Sequence, residues 1–245
     1  MKLFFIYLFF CFTSVNVFAT HAVHDTQEQL ITTWLGQQSR QNIPIQHSVT
    51  AILKRYPEKV EAVVKAAIHL YPHHYKRIML GAIRAEPALT CDVVEIVLQA
   101  NVAPNQSVVE IAVNAEPAYA KEIVTIAAHQ HPDDIANIVR IAIVTEPFVA
   151  DSIIGDSMLS YPDKMIDILT AAISAIPHQV SNLVTGTLAI FPDDADEVVT
   201  TAVSHSEDHH SRGIVDAAVR SGLSIELAIA AAIEGGADKA IFAQQ

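Results

Sequence analysis

Ten prolines fall at positions 57, 72, 87, 104, 117, 132, 147, 162, 177 and 192, and seven of the nine intervals between them are 15 residues. The two exceptions, 17 and 13, sum to 30, so the frame recovers after Pro104. Proline fixes φ and lacks the amide hydrogen, so it can open a helix but cannot sit inside one. Regular spacing of such a residue divides the chain into short units of equal length, which is how a repeat architecture is written in sequence.

A longer period lies beneath the first. Glu-Pro recurs at Glu86-Pro87, Glu116-Pro117 and Glu146-Pro147, while Pro-Asp recurs at Pro132-Asp133, Pro162-Asp163 and Pro192-Asp193, each series at 30-residue steps. The unit is therefore 30 residues, made of two similar but distinct halves, as expected of an αα-hairpin.

One half shows how each is built. Pro132 starts it, and Asp133 and Asp134 follow in the first turn, where a carboxylate meets the positive end of the helix dipole. Ile135, Ile138, Val139, Ala142 and Ile143 then fall at helical spacing, and Ile141 and Val144 widen the apolar surface beyond one stripe. A helix apolar around most of its girth must be covered by neighbours. The next proline disfavours helical geometry in the residue before it and stops the run. Strands fit poorly, since prolines avoid central strands and apolar-polar alternation is absent.

The reading is an all-α fold: an α-solenoid of about seven αα-hairpins, with about 15 residues per helix unit. Helices this short are marginal alone, so they must stack and share a core. Composition agrees, with 51% hydrophobic and only 17% charged residues. The repeat array is expected over residues 44–234, preceded by a cap helix and linker over 20–43 and followed by a tail over 235–245. The cap helix is placed at Thr26 to Gln38, and the last two helices at Asp208 to Arg220 and Leu223 to Glu234.

Residues 1–19 read as a secretory signal peptide: Lys2, an apolar run from Leu3 to Phe12, then Val17-Phe18-Ala19 with small residues at the cleavage positions. Export to the periplasm or medium follows as the expectation, with no membrane span once the leader is removed. Cys91 is then the only cysteine left, so no internal disulfide can form, and it is expected to be buried.

The proline-punctuated units resemble the general class of α-solenoids that includes tetratricopeptide and HEAT repeats, in architecture only. The unit here is 30 residues, against 34 or more in those families, and Trp34-Leu35-Gly36 occurs once, in the cap. That resemblance implies a binding scaffold and transfers no functional residue.

The frame sorts the residues before each proline onto two opposite edges. One edge carries Tyr71, Asn101, His131, Tyr161 and Phe191, and the other Tyr56, Glu86, Glu116, Glu146, Ile176 and Ser206. Successive members of a row would be one hairpin apart, about 10 Å. Tyr71, His131, Tyr161, Phe191, Glu86, Glu116 and Glu146 are the candidate partner-binding positions, with turn packing and solvated helix ends as the structural alternatives. Charge is also divided. Residues 20–84 hold 8 Lys/Arg against 4 Asp/Glu, a net +4, whereas residues 85–245 hold 6 against 23, a net −17. An acidic body repels nucleic acid and favours a protein or peptide partner, a basic one among the possibilities, or head-to-tail self-association.

The densest group of ligand-type residues is His205, His209 and His210. His205 and His209 have the i, i+4 spacing of a shared metal site, but the repeat frame puts a helix break between them, so no metal is assigned. No nucleophile elbow, phosphate loop or dinucleotide fingerprint is present, so no catalytic residue and no cofactor are assigned. The expected function is an exported, acidic scaffold for protein–protein interaction. A lipid- or metal-binding envelope protein is the alternative, and a hydrolase stands behind both.

Overall fold

The computed structural model describes residues 29–243. The expected signal peptide over 1–19 and the start of the expected cap helix lie outside the described residues. Among the described residues there are fourteen helices and no strand. They are α1 (29–40), α2 (Ile45–Leu53), α3 (Val60–Leu70), α4 (Tyr75–Ala85), α5 (Thr90–Gln99), α6 (Asn105–Ala115) and α7 (Ala120–Gln130). There follow α8 (Ile135–Thr145), α9 (Ala150–Ser160), α10 (Met165–Ala175), α11 (Val180–Ile190), α12 (Ala195–Ser204), α13 (Ser211–Arg220) and α14 (Ile225–Glu234).

The 15-residue period resolves into three parts. The residue before each proline is extended, with φ between −125° and −154°. Proline then opens a 3₁₀ turn of three residues, and an α-helix of 11 residues usually follows. Proline thus starts the 3₁₀ turn rather than the α-helix, which shortens each α-helix to about 16 Å at 1.5 Å per residue. The corner wastes no backbone groups. Tyr71 N–H donates to Ala67 O at 2.9 Å and closes the helix behind it, while its own carbonyl accepts from His74 N–H at 2.9 Å and closes the turn ahead. One extended residue therefore reverses the chain with its polar groups used.

Short corners hold consecutive helices against each other, and the array forms two layers. The even-numbered helices pack in the order α2, α4, α6, α8, α10, α12, α14, and the odd-numbered helices from α3 to α13 form the second layer. One continuous column of buried apolar side chains, from Leu35 to Ala237, lies between them. Ile138, Val139, Ala142 and Ile143 of α8 are all fully buried in it. This is the translational stacking that the apolar girth of each helix demands.

Four corners are made differently. Asn42, Asn101, Gly222 and Gly236 have positive φ, at 59°, 50°, 109° and 105°. Three of these end a helix with a six-to-one closing bond, as in Ile43 N–H to Gln38 O at 3.1 Å and Leu223 N–H to Ala218 O at 3.1 Å. The fourth, at Asn101, is the site of the 17/13 irregularity: Pro104 serves as the N-cap of α6, with ψ 139°, and no 3₁₀ turn precedes that helix.

Beyond Gly236 the tail does not leave the array. Its 3₁₀ turn, Lys239–Ile241, is bonded to the start of α13 through the Arg212 guanidinium and the Ile241 carbonyl, and Phe242 packs on the core.

Candidate functional site

The corner before α6 is irregular, although α6 itself keeps the 30-residue frame, starting at Asn105 between Tyr75 of α4 and Ile135 of α8. Between α2 and α4 the packing is close: Thr50 Oγ1 donates to the Gly81 carbonyl at 2.7 Å, and a Cβ on Gly81 would sit 2.7 Å from Gln46 O. Glycine is required there by the approach of two backbones. On the far side, α6 is tied to α8, because Asp134 accepts from Gln106 Nε2 at 2.7 Å and from Asn105 Nδ2 at 3.4 Å. Between α4 and α6 lies a groove of about 370 Å³.

Its walls carry opposite charges. Lys76, Leu80, Ile83 and Arg84 come from α4, while Glu110, Ile111, Asn114 and Ala115 come from α6, with Glu116 at the corner after it. Lys76 and Arg84 are spaced by eight residues, and Glu110 lies level with Leu80 in the 30-residue frame, so the cations and carboxylates flank an apolar floor of Leu80, Ile83 and Ile111. None of Lys76, Arg84, Glu110 and Glu116 is in an ion pair among the described residues. Opposed charges that stay apart across a water-filled cleft are available to a third party. The groove also lies at the charge boundary of the chain, since Arg84 is the last residue of the basic segment.

The sequence-derived candidates distribute as follows. Of the carboxylate row, only Glu116 lines the groove; Glu86 is exposed and Glu146 half-buried, each at the corner that ends its helix. Of the aromatic row, Tyr71, Tyr161 and Phe191 are half-buried and pack on the core at the opposite edge. His131 is also half-buried, with Nε2 buried and unpartnered. Tyr71 borders a second cleft, beside α2.

The histidines near 205 are divided as the frame requires. His205 caps the end of α12, where Nδ1 lies 3.0 Å from Thr201 O. His209 and His210 sit in the 3₁₀ turn before α13, their ring centroids 3.9 Å apart, and His209 Nδ1 is 3.3 Å from Glu207. Among the described residues no three His, Cys, Asp or Glu side chains are grouped to hold a metal.

Cys91 departs from expectation. It is half-buried rather than buried, because it opens α5 on the outer side of the odd layer. Partial desolvation, with Glu122 and Asp92 nearby, pushes its thiol up from the ordinary range.

No family model, curated protein or solved structure matches the chain.

The groove residues Lys76, Leu80, Arg84, Glu110 and Asn114 escaped the sequence reading. A signal existed in the coincidence of two features, the 17/13 break and the change of net charge beginning at residue 85. No helix of the described residues is long and apolar enough to cross a membrane.

Proposed function

We propose that this chain is an exported helical-repeat scaffold that binds a peptide or protein segment in the groove between α4 and α6. The observation that carries the reading is the pairing of an apolar floor with cationic and anionic walls that form no ion pair among the described residues, next to the irregular corner at Asn101. Such a groove suits an extended segment with charged side chains of both signs around a small apolar residue. The acidic body beyond it, net −17 over residues 85–245, attracts a partner that is basic as a whole. Export rests on the leader-like residues 1–19. No nucleic-acid role is proposed, for the same electrostatic reason.

The test is site-specific photocrosslinking in the native host, with the probe at Asn114 in the groove and, as a control, at Asn137 on the exposed face of α8. The expected result is a discrete adduct from position 114 alone, lost in E110K/E116K and kept in E197K. Equal adducts from both positions, or an adduct indifferent to E110K/E116K, would reject the groove as the binding site.

A further inference from the structure

A second cleft, of about 320 Å³, lies on the other flank of α4, where the α1–α2 corner meets the start of that helix. We propose that it binds a small oxyanion, a carboxylate or a phosphate, held by Arg77, His74, the Ser48 hydroxyl and the first-turn amides of α2. This inference does not depend on the groove between α4 and α6.

The decisive residue is Ser48. It is 2% exposed and lines the cleft, yet its Oγ is buried with no hydrogen-bond partner. A buried hydroxyl without a partner loses its hydration and recovers nothing, so it marks a place where a polar group from outside belongs. One turn earlier is the start of α2, a helix of nine residues whose N-cap, Pro44, supplies no side-chain acceptor. The amides of Ile45, which borders the cleft, and of Gln46 have no acceptor within the helix, and the helix dipole makes that end attractive to an anion.

The rest of the lining has the matching sign. Arg77 and His74 both border the cleft, and no Asp or Glu does. The His74 ring is steadied by Tyr71, with centroids 6.3 Å apart and planes tilted by 46°. The repeat supplies a comparison inside the same molecule. The 3₁₀ turns that open α8, α10 and α12 each carry their own carboxylate, at Asp133 and Asp134, Asp163, and Asp193 and Asp194. The turn that opens α4 has His73 and His74 instead, and neither α2 nor α4 has an acidic residue in its first turn. Where those three units bring their own anion, this one leaves cations and an unmet hydroxyl.

A guanidinium, an imidazole, a hydroxyl and helix amides are the donors that oxyanions take, and the guanidinium supplies the charge-assisted bond.

Amide NMR titration of the full chain with sodium phosphate and with sodium acetate, against sodium chloride at matched ionic strength, tests the proposal. Saturable shifts confined to Ile45–Ser48 and His74–Arg77 are expected with at least one oxyanion and not with chloride, and the tighter of the two identifies phosphate or carboxylate as the natural group. Arg77→Gln should weaken binding about tenfold, and Ser48→Ala about threefold, by loss of one charge-assisted bond and one ordinary bond. Ser48→Ala should also leave the melting temperature unchanged or raised, because an orphan hydroxyl is removed. Shifts that match chloride, affinity unaffected by Arg77→Gln, or a Ser48→Ala protein that melts earlier would each overturn the proposal.

Discussion

The run from Pro117 to Ile190 and the stretch from Tyr75 to Ala115 are built from the same unit, and the second holds the charged groove between α4 and α6. In the regular run every corner is one extended residue and a 3₁₀ turn, so each helix lands against its neighbour in the same register. Around Asn101 the corner is longer, the turn before α6 is missing, and α6 leans on α8 through Asp134 while its other flank opens.

Several experiments can break or sharpen this contrast. The largest effect is expected in the regular run: Ile138→Ala, at a fully buried position of α8, should lower stability by about 3 kcal/mol in chemical denaturation. Leu80→Ala, on the half-buried groove floor, should lower it by about 1 kcal/mol or less, and equal losses would mean the groove floor is packed like the core. Next comes Gly81→Ala, where the new methyl would meet the Gln46 carbonyl and destabilise the α2–α4 contact by about 2 kcal/mol.

A further variant moves the proline back into frame without changing length. In V102P/P104D the corner before α6 acquires the Pro-x-Asp form of the turn before α8. The chain should remain helical by circular dichroism and lose groove binding about tenfold, which corresponds to 1.4 kcal/mol. Retained binding would separate the site from the irregular corner. A smaller gain is expected from Gly186→Ala in α11, where an added Cβ meets nothing within 4 Å: about 1 kcal/mol of stability from helix propensity. The least effect concerns Cys91. Its raised thiol should alkylate more slowly than a free cysteine at pH 7.5, and the rate should keep rising at pH values where a free thiol has levelled off.

Much of the fold was legible because proline acts locally. A missing amide and a fixed φ end one helix and start the next whatever surrounds them, so Tyr71, Glu116 and Phe191 could be assigned to corners from spacing alone. The 3₁₀ turn was not legible, since residues such as His73 and Ala118 fit either helix type. Nor was the end of α1. The helix runs to residue 40, two residues beyond the expected end, and is closed by the positive φ of Asn42 with Ile43 N–H bonded back to Gln38 O.

The site was less legible for a related reason. The 17 and 13 intervals move the proline but not the helix, since α6 starts at Asn105 in frame with Tyr75 and Ile135, and only the folded chain shows what faces what. The carboxylate row illustrates this: three glutamates at equal spacing gave one groove residue, Glu116, because Lys76 and Arg84 lie opposite that position alone. Ser48 gave no signal at all, since a serine in an amphipathic helix is unremarkable until its buried hydroxyl is found without a protein partner.

The one-residue corner has a consequence for how such a chain can change size. Insertion of a single amino acid there would rotate the following helix about its axis and turn its apolar side outward, and loss of one helix would swap every later segment from one layer to the other. Growth or shrinkage that keeps the stack intact must therefore come in whole steps of thirty. Any longer or shorter sibling of this chain should differ from it by multiples of that number, with odd lengths confined to its two ends and to the turn at Asn101.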